Sequence, residues 1–479
     1  MLNSRAFPAV CFLICLMTGC QNWPSVGPDY EESPFAQGTG IAAALNDSGA
    51  DNGVAERLAD WWRVFDDARL TALVARALAT NHEMAVAEAK VREARARLGI
   101  ANAGRFPMVG VGGAFQRYQT SENDYPFSRT KDNQFQAGFD ATWEIDIFGG
   151  TRRRVEAAAA GVEALEAGRD AVWVSLAAEV VNTYVCYRTA QQRLRVLRRN
   201  AGFQEETCDL ARSRAESGLT SELPLHQSLY NLETTRSQIP PLEASLESYA
   251  NALAFLVGAV PGELHEMLKE EQDIPSAARW TLESIPSECV RMRPDVRAAE
   301  RQVAVASANI GVATADLYPK FSLLGSIGLG SVKAADFFDN GSVMYSLGPQ
   351  VSWPIFRGGS IRNNIKAQDA VQEQALAGYE QTVLGAVRDV RNVLVAYDRE
   401  YARLENLNAA EEAAQKAVTI AEDLYKRGLT DFNNVLDAQR SLMALQESMV
   451  VSRGTISQQL VSLYKALGGG WQGEGENIQ

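Results

Sequence analysis

The residue best placed for covalent chemistry is Cys20, which follows Leu16-Met17-Thr18-Gly19 at the end of an apolar run from Phe7 to Met17. Arg5 is the only charge before that run. Residues 1–19 therefore have the charged start, short apolar middle and small-residue cleavage site of a secretory signal. Thr18 and Gly19 match a bacterial lipobox, in which the cysteine thiol takes a diacylglycerol and becomes the mature N-terminus; Met17 stands where Leu is preferred. Each buried methylene of an acyl chain adds about 0.8 kcal/mol, so a lipidated Cys20 is a membrane tether. Gln21 replaces the Asp that retains such lipoproteins at the inner membrane, so the motif implies an outer-membrane destination.

The remaining reactive side chains do not assemble into a catalytic or metal pattern. Cys11 and Cys15 leave with the signal. Cys186 and Cys208 fall on one expected helix, about 33 Å apart, too far to bridge, and with Cys289 they read as packing residues. His82, His226 and His265 lack metal-ligand spacing and are expected at core or surface positions. Gly325-Ser326-Ile327-Gly328-Leu329-Gly330 has the order GxxGxG inside an alternating strand, with no helix opening after it, so it reads as small strand residues and not as a phosphate loop. No cofactor is expected, and the chain reads as a non-enzyme. A net charge of −13 disfavours nucleic acid as a partner. No apolar stretch after the signal is long enough for a membrane-spanning helix.

Those residues sit in a chain written twice. An offset of about 210 residues lays Arg105-Phe106-Pro107 on Leu317-Tyr318-Pro319 and Gly99 on Gly311. It also lays Trp143–Gly150 on Trp353–Gly359, Gly218-Leu219-Thr220 on Gly428-Leu429-Thr430, and Leu256-Val257-Gly258 on Ala466-Leu467-Gly468. Each copy reads as a helix, a strand pair, a very long helix, a turn and a returning helix. From Gln134 to Asp146 the alternation is complete, with Phe135, Ala137, Phe139, Ala141, Trp143 and Ile145 against a polar set. The second copy alternates from Val343 to Ile355, with Pro349 as the one residue that strains a ladder. Weaker first strands carry Val109, Val111 and Phe115, or Phe321, Leu323, Ile327 and Leu329. Strands of this length match tilted transmembrane β-strands, and Trp143, Phe148, Trp353 and Phe356 stand near strand ends, where an aromatic girdle belongs. Four strands cannot close a barrel, and lipid does not tolerate an open sheet edge, so several chains must contribute four strands each.

From Thr151 to Ser217, and again from Ser360 to Arg427, the chain has no proline and is dominated by helix formers. Such a helix is a rod about 100 Å long, more than any globular domain needs. Gly218 and Gly428 then mark turns at which the chain folds back as an antiparallel helical hairpin. Pro240-Pro241 breaks the first returning helix.

On these residues the chain resembles the TolC-type outer-membrane factors, in particular the lipoprotein branch typified by the OprM and NodT channels. The marks are the lipobox at Cys20, Val26-Gly27-Pro28-Asp29-Tyr30, Trp61-Trp62, Phe65-Asp66-Asp67, Asn81, the two aromatic-Pro junctions, Ile239-Pro240-Pro241-Leu242-Glu243 and Val435-Leu436-Asp437-Ala438-Gln439-Arg440. The resemblance implies a mainly α protein with a transmembrane β-barrel: a homotrimer whose twelve-stranded barrel in the outer membrane continues into a twelve-helix periplasmic α-barrel with an equatorial domain. It implies a lipid anchor at Cys20, a periplasmic adaptor and an inner-membrane RND-type transporter as partners, and drug or toxic-compound efflux as the function. Protein export in a type I secretion system and a non-channel periplasmic coiled-coil lipoprotein are the alternatives. In the family, acidic residues after the second tip turn line the constriction. Asp437 matches the principal position, Asn434 stands where some members carry a second acid, and Asp431 is either a helix cap or a further lumen residue. A salt bridge to Arg440 is the competing role for Asp437. The expected organisation is signal 1–19, lipidated segment 20–68, first repeat 69–258 with return helix 221–258, equatorial segment 259–292, second repeat 293–467 and Gly-rich tail 468–479.

Overall fold

Alanine, leucine, glutamate and arginine lose little rotamer freedom in a helix, and they sustain two unbroken helices of 67 residues each. The computed structural model describes residues 25–37, 39–45, 58, 60–123, 131–279 and 287–469. Cys20, the signal and residues 470–479 of the tail lie outside them. Among the described residues, eight helices have thirteen residues or more: α1 (Ala68–Thr80), α2 (His82–Ala103), α3 (Gly150–Glu216), α4 (Leu223–Ser237), α5 (Ile239–Leu256), α6 (Pro294–Ala315), α7 (Ser360–Lys426) and α8 (Phe432–Ala466). Four strands, β1 (Met108–Gln119), β2 (Lys131–Ile145), β3 (Lys320–Ser331) and β4 (Val343–Ser352), form one antiparallel sheet in the order β1-β2-β3-β4.

The duplication is visible in the hydrogen-bonding register. Met108 stands opposite Thr142 in the first hairpin and Lys320 opposite Ser352 in the second. The alignment that puts Pro107 on Pro319 and Trp143 on Trp353 carries one rung onto the other. α2 and α6 are both 22 residues long. The return element expected over 221–258 is two helices: α4 ends at Ser237 and α5 begins at Ile239, because Pro240 and Pro241 have no N–H to bond the preceding turn and fit only a first turn.

The compact units are not the repeats, since each draws on both. One comprises residues 25–33, 90–166 and 298–379 and contains the sheet. There, the N-terminal segment is strapped down by Arg153, which is almost wholly buried. Its guanidinium donates to the Val26 and Gly27 carbonyls and pairs with Asp29 at 2.6 Å and Glu156 at 2.8 Å. Gly27, at φ +88°, lies against Gly311, and a Cβ on either would collide with its surroundings. Tyr30 adds a 2.8 Å hydrogen bond to Glu300. Burial, with Glu300 beside it, pushes the Tyr30 phenol far up, so it stays a donor.

The other unit comprises residues 34–89, 167–297 and 380–469. Its core joins Trp61, Trp62, Leu70, Val74, Tyr184, Leu253, Leu460 and Tyr464, with Trp61 stacked on Tyr464 at 5.0 Å. Full burial of side chains this size contributes about 1.5–3 kcal/mol each. Asp67 caps α1 by accepting from the Arg69 and Leu70 amides and takes a third hydrogen bond from the Tyr184 hydroxyl at 2.8 Å. Burial and that carboxylate push the Tyr184 phenol up to about 12, against the lowering effect of nearby Arg188.

Candidate functional site

Gly218 and Gly428 build the two helical turns at the ends of α3 and α7. Both have positive φ, +68° and +75°. In each, the next leucine amide reaches back five residues, Leu219 to the Arg214 carbonyl and Leu429 to the Leu424 carbonyl, both at 2.9 Å. This is the glycine-ended helix stop that only a residue without Cβ adopts cheaply. Leu219 and Leu429 are left 68% and 70% exposed, so each turn presents an apolar tip to solvent.

After the second turn, helical spacing separates two faces of α8. Phe432, Val435 and Leu436 are buried with Ala211 and Tyr425, whereas Asp431, Asn434 and Asp437 share the exposed side. The three sequence-selected polar residues are therefore brought onto one face. Asp431 occupies the N-cap position with extended backbone, and its carbonyl accepts from the Asn434 amide at 3.1 Å. Its side chain makes no capping hydrogen bond, so the capping role does not hold for the carboxylate. Asn434 donates to the Thr430 hydroxyl at 2.7 Å. Asp437 meets Arg440 at 3.5 Å with both side chains exposed, a weak pairing worth about 0–1 kcal/mol. In the first copy, Glu222 lies 3.9 Å from His226 and no acid occupies the position of Asp437, which aligns with Gln227.

Beneath the exposed face, a cleft of about 730 Å³ lies between α3, α7 and α8. Gln439 crosses it, donating to the Thr207 hydroxyl at 3.1 Å and the Glu422 carboxylate at 3.0 Å. Asn200 Nδ2, Gln204 Oε1, Tyr425 Oη and Gln446 Oε1 are buried there without a protein partner. A cleft with that lining holds water better than hydrocarbon.

Trp143 lies within β2 and Trp353 just past β4. Their indole N–H groups donate to the Arg105 and Leu317 carbonyls, both at 3.0 Å, the same bond in each copy. Phe356 is 89% exposed, while Phe148 is half-buried and stacks on Tyr318 at 4.6 Å. Val26 donates to the Phe148 carbonyl at 3.1 Å, holding the N-terminal segment at the β2–α3 junction.

Among the described residues, Cys186, Cys208 and Cys289 form no disulfide. Burial pushes the Cys186 and Cys208 thiols up, away from the reactive thiolate. Among the described residues no group of His, Cys, Asp and Glu could hold a metal ion.

Two buried groups were not legible as important. Arg188 is 0% exposed; it donates to the Leu268 carbonyl at 3.2 Å, the Glu270 carbonyl at 2.8 Å and the Gln272 side chain at 3.2 Å, over the Tyr184 ring. It clamps the 268–272 segment onto α3. Gly454 lies so close to Thr189 that a Cβ would overlap it. An arginine inside a helix-rich run and one glycine of 37 carry no sequence signal for these contacts.

A family model described as outer membrane efflux protein matches residues 73–259 and 285–469, once per repeat. The chain is 29% identical over 469 residues to a probable outer membrane lipoprotein, SilC, of Salmonella typhimurium, covering 96% of this chain and 97% of that one. It is 32% identical over 422 residues to the pyoverdine export outer membrane protein OpmQ of Pseudomonas putida, covering 86% and 88%. Among solved structures, the outer-membrane channel OprN superposes with a TM-score of 0.87 at 33% identity, over 93% of this chain and 99% of that one.

Proposed function

Because the chain belongs to the outer membrane efflux protein family and resides in the outer membrane, we propose that it is the exit duct of a tripartite pump. Small toxic compounds enter it from an inner-membrane RND-type transporter through a periplasmic adaptor. The observation that carries this reading is the four-stranded sheet in which, among the described residues, the outer strands β1 and β4 each pair on one side only. Its apolar residues face outward, with Val111 75%, Leu347 76% and Phe139 57% exposed. Such a sheet is stable only when closed by other copies and surrounded by lipid. The family resemblance sets three copies, giving twelve strands around one lumen.

The other groups take roles consistent with a duct. Cys20 carries the acyl anchor. The strap of Val26, Gly27 and Asp29 on Arg153 holds the N-terminal segment at the β2–α3 junction, at the barrel rim. Trp143, Phe148, Trp353 and Phe356 form the girdle near that rim. Asp437, with Asn434 and Asp431 on the same face, lines the periplasmic constriction, where three symmetry-related carboxylates attract cations. The turns at Gly218 and Gly428, with exposed Leu219 and Leu429, form the tip on which the adaptor docks.

The test is accumulation of a cationic fluorescent dye in cells with and without this gene, pump and adaptor intact. Higher accumulation in the deletion, reversed by the wild-type gene, is the expected result. Unchanged accumulation with altered secreted proteins would replace this reading by protein export.

A further inference from the structure

The two junctions between sheet and long helix are equivalent in backbone and different in charge. Gly149 and Gly359, with φ +83° and +82°, each accept from the amide four residues on, Arg153 at 2.8 Å and Asn363 at 3.0 Å. This equivalence sets Arg152 on Arg362, Asp146 on Phe356, Ile147 on Arg357 and Glu156 on Lys366. In the first copy carboxylates answer the arginines. Asp146 accepts from the Thr151 and Arg152 amides and pairs with the Arg152 guanidinium at 3.3 Å, while Arg153 pairs with Asp29 and Glu156. The second copy has neither Asp146 nor Glu156. From Trp353 to Gln368 it has no acid at all, and the segment that brings Asp29 occurs once in the chain and is seated on Arg153.

Arg357, Arg362 and Lys366 are all exposed, and among the described residues none of them forms an ion pair. Asp316, which the Lys320–Ser352 rung brings beside the end of β4, is taken by Lys320 at 2.9 Å. Asp369, the next acid on α7, lies about two turns below Arg362. Beside these cations, Ile355 and Phe356 are 85% and 89% exposed. Three unpaired cations next to two bare apolar side chains, just past the end of a strand, match the boundary between acyl chains and head groups.

Resting on the reading of the sheet as membrane-spanning, we propose that the β4–α7 junction binds the head group of an anionic phospholipid. The Arg357 and Arg362 guanidiniums hold the phosphate, which suits their forked N–H donors. Lys366 adds a third positive charge, and Ile355 and Phe356 lie along the acyl chains. The lipid phosphate takes the part that Asp146 and Asp29 play in the first copy. A carboxylate from a second copy is the competing occupant. The repeat makes α2 the counterpart of α6, and the last turns of α2 carry Arg95 and Arg97, paired with Glu166 and Glu93, with Arg105 just beyond. That surface offers the junction more positive charge, so the anion comes from the membrane.

The test is the lipid retained by the full-length protein after reconstitution into bilayers of equal phosphatidylglycerol and phosphatidylcholine and mild detergent extraction, read by mass spectrometry. The wild type is expected to keep phosphatidylglycerol in several-fold excess. A basic residue at an anionic surface is worth about fivefold in partition, so Arg357→Gln with Arg362→Gln should bring the ratio near one. Lys366→Glu, which writes Glu156 of the first copy into the second, should lower the ratio with both arginines in place, and it reads the site should the double variant fail to fold. Arg154→Gln removes an exposed arginine from the first junction and should leave the ratio unchanged. Equal retention of the two lipids by the wild type, or an excess that survives the loss of both arginines, overturns the proposal. So does a double variant that falls from trimer to monomer in phosphatidylcholine alone, because the arginines then serve a neighbouring copy. Channel recordings of the wild type in the same bilayers keep the two readings apart: conduction without lipid preference removes only the head-group site, whereas absence of conduction removes the duct.

Discussion

Asp437 lies on the exposed side of α8, its carboxylate meeting Arg440 in a weak 3.5 Å contact, and three copies around one axis would place three such carboxylates in a narrow passage. Removing the charge removes the cation attraction without disturbing the buried side, where Val435 and Leu436 hold the helix. Asp437→Ala is therefore expected to raise single-channel conductance or weaken block by multivalent cations. Arg440→Ala separates the two roles of the carboxylate: if Asp437 serves mainly that ion pair, both substitutions alter the recordings alike. Asp295 gives a residue-level pH dependence of a different kind. Burial pushes its carboxyl up, but two hydrogen bonds from the Arg293 guanidinium, at 3.0 and 2.7 Å, and one from the Val296 amide take it below the usual carboxylate value. A group with a lower folded than unfolded pKa stabilises fully above the unfolded value and loses that contribution as pH falls through the folded value. Asp295→Asn should therefore lower the melting temperature at neutral pH and shrink the acid-induced loss of stability below the usual carboxylate range. An acid limb of unchanged size would refute the assignment. Both residues are visible in the sequence, yet only the fold shows that Arg293 also donates to the Ala466 carbonyl at 2.7 Å and so ties the start of α6 to the end of α8.

Elements were legible where a local period dictates them. Alternation over residues 134–146 marks β2, whose start at Lys131 is set by pairing with Gln119 and not by any local signal. The long helices α3 and α7 follow from helix-forming composition between a pair of glycines at one end and Gly218 or Gly428 at the other. The break at Gln238 was legible in Pro240-Pro241, although the hydrophobic pattern continues through it as if one helix ran to Leu256. What the period could not disclose are contacts between distant elements. Arg188 reads as one more helix former, and its partners, Leu268, Glu270 and Gln272, lie about eighty positions onward. The two compact units were likewise hidden, because the chain repeats in sequence but packs by cutting both repeats and joining their pieces. Duplication predicts equivalent elements; it does not predict which of them share a core.

At the scale of the whole molecule, one chain completes one of its two units and leaves the other unfinished. The unit around Trp61, Tyr184 and Tyr464 has a continuous buried core and needs no second copy to bury it. The unit containing the sheet has, among the described residues, four paired strands, two edge strands each bonded on one side and an exposed apolar face. Backbone groups along those edges are bonded to water in a dispersed chain and can be bonded to protein only after assembly. The strands should consequently behave differently in the two states, although the helices around the core should not. Hydrogen–deuterium exchange on chains dispersed in detergent and on chains assembled in membranes separates these regions. The core segments of α1, α3 and α8 are expected to be protected in both. On β1 and β4, alternate amides, those directed away from β2 and β3, should exchange rapidly in the dispersed chain and become protected on assembly. β2 and β3, hydrogen-bonded on both sides within one chain, should change least among the strands. Equal protection of β4 in dispersed and assembled chains would mean that its outer edge is satisfied without a second copy, and closure of the sheet by neighbouring chains would then be wrong. A gain in protection confined to β1 and β4 ties the last step of folding to association, so the pore and the folded sheet come into existence together.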